Sequence, residues 1–168
     1  MRSGSDVHNF LLEEGVAHEM VHLPALSITA QKAAELLGVS TGEVVKSLLF
    51  YLDGAPALVL VPGDLVVDLG LLCAALGCAE AKLASGQQVL EATGYRLGAV
   101  PPFALSSKLP VVADPAVFEP PVIYCGGGTT TTMLKIRSSD LRDLLKPQLV
   151  TIATRPADAV SGAHPGRP

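Results

Sequence analysis

Two apolar runs, VVKSLLFYL and ALVLV, lie between Val44 and Val61 and are separated by one turn signal, Asp53-Gly54. That arrangement constrains the chain to an antiparallel hairpin, because Asp-Gly takes up the positive φ values that a tight turn between strands requires. Ala57 to Val61 is apolar at every position, the mark of a central strand covered on both faces. The first run has one interruption. Period-two alternation puts Lys46 on the same face as Leu48, Phe50 and Leu52. Burying an ammonium there is costly without a partner. Either Lys46 snorkels, stem packed and head in water, or it faces a ligand.

The hairpin sits in a chain able to bury a sizeable core. Of 168 residues, 49% are hydrophobic and 17% charged, a globular balance and not a disordered one. With no Trp and few aromatics, Ala, Val and Leu must build the interior. The net charge of -4 and the lack of any Lys/Arg run exclude a broad footprint for duplex DNA, though not a grip on the end of an RNA. Three cysteines do not make a disulfide framework, and Cys73 and Cys78 read as small buried hydrophobes. The segment MRSGSDVHNF lacks the apolar stretch of a signal peptide, and no apolar run is long enough to span a membrane. These features point to a cytoplasmic protein.

Caps and breakers predict the remaining elements. Ser5-Asp6 opens a helix that closes at Gly15, and Ala17 to Leu23 forms a strand stopped by Pro24. Thr29 caps a helix through Ala33, Leu36 and Leu37 to Gly38. Asp68 to Leu76 is helical, and Ser85-Gly86-Gln87-Gln88 is a capping box for a helix ending at Gly94. Val111 to Ala113 and Pro121 to Cys125 are strands; Gly126-Gly127-Gly128 follows as a hairpin loop and Thr129 to Ile136 as a return strand. Asp140 to Lys146 makes the last helix, and Leu149 to Ala153 adds a strand. The fold class is α+β: a curled, mixed, largely antiparallel sheet, barrel-like, with flanking helices. Residues 1–155 form one domain, and 156–168, rich in Ala, Gly and Pro, a disordered tail.

No nucleophile elbow, P-loop or zinc helix is present. His18 and His22 share a strand face, but without a third ligand they read as solvent-facing residues and no metal is expected. Glycines bring a backbone close to a ligand and aim N–H groups at an oxygen, a second reading of Gly126 to Gly128. Gly98 to Pro102, with two adjacent prolines, is a rigid shaped loop. A cation on an apolar face with two glycine loops downstream suits a carbonyl or phosphate ligand.

The ordered series V-V-K-S-L-L-F, G-Y-R-L-G-A-V-P-P-F, V-V-A-D-P and I-Y-C-G-G-G resembles the YbaK/prolyl-tRNA-synthetase-associated-domain family of trans-editing aminoacyl-tRNA deacylases. The helix I-T-A-Q-K-A-A-E-L-L-G-V fits the same pattern, and the resemblance runs from Asp6 to Leu145. It implies that Lys46 is the family's lysine facing the terminal adenosine. It also implies that Gly98 and Pro102 bound the loop holding the aminoacyl carbonyl, with Ala99, Val100 and Pro101 shaping the amino-acid pocket. Gly126 and Gly127 would line the same cleft, and Asp114 would match an acidic substrate-binding position. No organic cofactor is implied.

Departures from the family pattern modify that expectation. Gly98-Ala99 stands where relatives often have Gly-Gly, Pro101-Pro102 where they have Ser-Pro, and Thr129 to Thr132 where they carry basic residues. The pocket is therefore expected to be tight and apolar, favouring alanine over serine. The expected activity is hydrolysis of a mischarged aminoacyl-tRNA, such as proline tRNA carrying alanine or cysteine, with the acceptor end as partner and a synthetase as a further candidate. The alternative is a non-catalytic module of the same fold that binds tRNA or a synthetase. An aminoacyl ester is already activated, so a site that only orients it and stabilises an oxyanion suffices.

Overall fold

In the computed structural model, which describes residues 1–158, helix α1 (Gly4–Glu13) precedes strand β1 (His18–His22) and helix α2 (Ala30–Leu37). The hairpin follows as β2 (Val45–Leu52) and β3 (Ala55–Pro62), then β4 (Val66–Val67), α3 (Leu69–Leu76), β5 (Ala81–Leu83) and α4 (Gly86–Thr93). The second half comprises β6 (Val111–Ala113), β7 (Val122–Thr129), β8 (Thr132–Arg137), α5 (Ser138–Leu145), β9 (Gln148–Leu149) and β10 (Ala153–Thr154).

Local chemistry sets these boundaries. Asp53 (φ 48°) and Gly54 (φ 85°) both take positive φ, and the Asp53 carboxylate also accepts from the N–H of Glu80 at 2.9 Å. The Thr29 hydroxyl accepts from the Lys32 N–H at 3.1 Å and starts α2. Helix α1 begins earlier than Ser5-Asp6 suggested. Ser3 is its cap, and the Ser3 N–H donates to the Asp6 carboxylate at 2.8 Å.

Strand β3 lies inside a five-stranded sheet of order β5-β2-β3-β6-β9, antiparallel to β2 and parallel to β6. Its alternate side chains serve two cores. Leu58 and Leu60 point into one with Val7, Leu11, Leu49 and Leu134, whereas Val59 and Val61 point into the other with Phe50, Leu72 and Ile152. That double coverage explains a run with no polar position.

A second sheet, β1-β8-β7, is entirely antiparallel. The α+β class and the mixed sheet hold, but the barrel-like closure does not. The two sheets are joined by the isolated bridge Val44–Tyr124, and neither sheet is closed on itself. Closure would need a ladder between β2 and β7, and that ladder stops at a single bridge.

The three glycines are not a hairpin loop. Strand β7 runs through them to Thr129, and the turn falls at Thr130-Thr131. The physical reason is close approach of neighbouring backbone. A Cβ on Gly126 would lie 2.2 Å from the Val100 carbonyl oxygen, and one on Gly127 2.6 Å from that of Thr132. The threonine turn also pins the loop after β1, because its carbonyls accept from the N–H groups of Leu23 and Ser27, each at 2.7 Å. Of the expected tail, Pro156–Asp158 forms a 3-10 turn, and the remainder lies outside the described residues.

Candidate active site

The gap where β2 and β7 fail to pair is a cleft of about 430 Å³. Strand β2 pairs with β3 along its full length but with β5 only from Phe50 to Leu52, so the edge from Val45 to Leu48 is open. The Leu49 carbonyl accepts from Ala84 N–H at 2.9 Å on this side. By alternation, the N–H and C=O of Ser47 face the same open edge. Residues 27–31, from the loop before α2 into its first turn, Gly63, Leu97, Gly98, Val100, Gly126 and Met133 complete the walls.

Four of the expected site residues meet here: Lys46, Gly98, Val100 and Gly126. Lys46 is half-buried, and its ammonium donates to the carbonyl of Leu65. The ammonium is thus tied to a backbone carbonyl beside the cleft. Burial lowers its pKa from the ordinary lysine value, and the nearby Asp64 carboxylate partly opposes that shift. Gly98 sits at positive φ (86°) in a turn closed by Ala99 N–H to Arg96 C=O at 3.0 Å. Its backbone packs on Ile28, where a Cβ would come within 3.0 Å of the side chain. Among the described residues, no acceptor answers the N–H of Gly98 or of Val100. The Ala99 carbonyl accepts from Gly128 N–H at 3.0 Å, locking the loop onto β7.

The other expected residues lie elsewhere. Ala99 and Pro101 are buried behind the wall rather than in it, so their bulk does not line the pocket as expected. Pro102 borders a separate groove between α1 and the loop 102–109. Gly127 faces Thr132 and the amino-terminal Gly4. Asp114, expected to bind substrate, is a structural carboxylate. It accepts from Ala116 N–H at 2.9 Å, Ile152 N–H at 2.9 Å and Ala153 N–H at 2.8 Å, tying the end of β6 to β10. Asp114→Ala leaves those buried donors unanswered and is expected to cost about 2–4 kcal/mol, read as a lowered denaturation midpoint without a changed substrate preference.

Sequence reasoning missed Ser27, Ile28, Ser47 and Gly63 as cleft residues. Gly63 alone carried a signal, as the middle of Pro62-Gly63-Asp64; a Cβ there would lie 2.5 Å from the Thr41 carbonyl. Ile28 and Leu97 are 58% and 55% exposed and form apolar lips at the cleft mouth. His18, read as solvent-facing, is half-buried and bonded to His8 at 2.8 Å and to the Val16 carbonyl at 2.8 Å. Among the described residues, no three His, Cys, Asp or Glu side chains assemble to hold a metal.

An open-edged mixed sheet thus brings a half-buried lysine and two glycines to one cleft. The aminoacyl-tRNA editing domain matches residues 27–144, and the chain belongs to that family. It is 30% identical over 159 residues to the multifunctional Ser/Thr-tRNA deacylase ProXp-y of Escherichia coli K12, covering 89% of this chain and 95% of that protein. It is also 33% identical over 127 residues to a proline–tRNA ligase of Citrifermentans bemidjiense, covering 73% of this chain but 22% of the ligase. A solved structure provisionally assigned as a trans-editing enzyme for prolyl-tRNA synthetase superposes with a TM-score of 0.83 at 30% identity, covering 90% of this chain and 96% of that one.

Proposed function

We propose that the chain is a trans-editing deacylase that seats the acceptor end of a mischarged tRNA along the open edge of β2 and hydrolyses its aminoacyl ester. The observation that carries this reading is the convergence of Lys46, Gly98, Val100 and Gly126 on one cleft in a chain of the editing family. Water attacks the ester carbonyl, the bond to the ribose oxygen breaks, and free amino acid and tRNA leave. The N–H groups of Gly98 and Val100 are the candidate donors to the developing oxyanion. The vicinal ribose hydroxyl helps orient or deprotonate the water. Lys46 exchanges the Leu65 carbonyl for a phosphate or ester oxygen, acting as a point charge. Ile28 and Leu97, exposed at the mouth, are the apolar side chains to pack on the terminal base in this reading.

The amino acid removed is proposed to be a small one. Alanine and cysteine on proline tRNA remain candidates, and the E. coli relative's name adds serine and threonine. The likeness to a segment of a proline–tRNA ligase supports action beside that synthetase, in the cytoplasm. Residues 1–155 then work as one editing domain. Comparing hydrolysis of a charged tRNA with that of the same amino acid's simple ethyl ester tests the reading. A strong preference for the tRNA ester supports it, and equal rates would reassign the chain as a small-molecule esterase.

Affinity is expected to fall only shallowly with salt, because a chain of net charge -4 makes few phosphate contacts. A slope of log K against log salt of about -2 to -3 corresponds to such a footprint. A slope several-fold steeper would require a basic face of many phosphate contacts.

A further inference from the structure

Among the described residues, two buried side-chain atoms lack a hydrogen-bond partner, Ser27 Oγ and Ser47 Oγ, and both residues border the cleft. Buried hydroxyls in folded proteins nearly always have a partner. Two exceptions at one cleft point to a partner supplied from outside.

Their placement supports this. Ser27, 4% exposed, is held from the loop after β1 by its N–H to the Thr130 carbonyl at 2.7 Å. Ser47 is held from β2 by register with Leu60 of β3, on the same strand face as Val45 and Leu49. Both backbones are fixed, so only the hydroxyl's rotamer is free to change, and a serine has three staggered wells to choose from. The surrounding wall, with Ala30, Val44, Val100 and Met133, is apolar.

We infer that Ser27 and Ser47 form a hydroxyl subsite that selects for a hydroxyl on the amino acid being removed. The inference rests on the deacylase reading above. A seryl or threonyl group brings one O–H donor and two acceptor lone pairs, and each serine can answer with either role. An alanyl group leaves both serines unanswered, and a cysteinyl thiol answers weakly. Sites built around such groups reject the analogue lacking the hydroxyl, because their own polar atoms stay unpaired. This reverses the preference for alanine expected from the loop sequence.

The test charges one tRNA body with serine, threonine or alanine and measures kcat/KM for the native protein, Ser27→Ala, Ser47→Ala and the double variant. The native protein should favour seryl and threonyl over alanyl esters. In the double variant the seryl-to-alanyl ratio should fall by about tenfold or more. Thermal midpoints should hold or rise slightly, since no bond within the protein is lost. An unmoved ratio, or seryl and alanyl rates falling by one common factor, overturns the inference. Failure of the native protein on every ester is a different result, which removes the deacylase reading. Binding of non-hydrolysable seryl and alanyl amide analogues of adenosine then still reads the hydroxyl preference, and equal affinities would overturn it.

Discussion

Lys46→Ala is expected to lower kcat/KM for deacylation by about 30- to 1000-fold, equivalent to about 2–4 kcal/mol of transition-state stabilisation. The ammonium is half-buried at the start of β2, on the strand face shared with Leu48 and Phe50, and it donates to the Leu65 carbonyl. A point charge held in partial desolvation acts on phosphate or ester oxygen far more strongly than one in water, and alanine has nothing to replace it. The pH dependence has a definite sign. Burial lowers the pKa of this lysine, so the fraction carrying charge falls at a lower pH than for an ordinary lysine. Activity that depends on the ammonium is present below that pKa and is lost as pH rises through it. Lys46→Arg, if it retains measurable activity, should move the loss to higher pH because a guanidinium stays charged. Full activity in Lys46→Ala, with an unchanged alkaline limb, would show that this lysine only packs.

Gly126→Ala is the substitution expected to damage site and fold together. A methyl group there would lie 2.2 Å from the Val100 oxygen, 2.7 Å from its carbonyl carbon and 3.0 Å from the Ala99 oxygen, all backbone atoms that cannot rotate aside. The loop must shift away from β7, breaking the bond from Gly128 N–H to the Ala99 carbonyl. Overpacking of this kind costs about 1–3 kcal/mol, and more where backbone has to move. Because Val100 forms the cleft wall, activity should fall further than stability does. Chemical denaturation beside single-turnover hydrolysis checks this. A variant that is as stable and as active as the parent would mean that the loop and β7 are not in contact.

The hairpin was legible because period two, an Asp-Gly turn and an uninterrupted apolar run all specify one arrangement. Helices α2, α3 and α4 were legible for a similar reason, since Thr29, Asp68 and Ser85 cap them and glycines close them. Strands β4, β9 and β10, two residues each, carry no periodicity, and their pairing is decided by tertiary contacts. The glycine triplet misled because a turn and a crowded strand both demand glycine. Only the positions of Val100 and Thr132 separate the two. Asp114 misled in the same way: a carboxylate after a strand can bind a ligand or tie backbone, and its partners at Ile152 and Ala153 lie 38 and 39 residues away. Lys46 stood out because an unpaired charge in an apolar strand is costly wherever it lies. Ser27 and Ser47 did not, since a serine in a sequence carries no sign of whether its hydroxyl is answered.

Incubating the purified protein with a panel of charged tRNAs, and following loss of each amino acid against a buffer control, measures the proposed activity itself. Catalytic release of a small amino acid from a mischarged tRNA is expected, with correctly charged partners such as prolyl proline-tRNA spared. Binding of tRNA without turnover of any ester would contradict deacylation and leave the fold as a docking module.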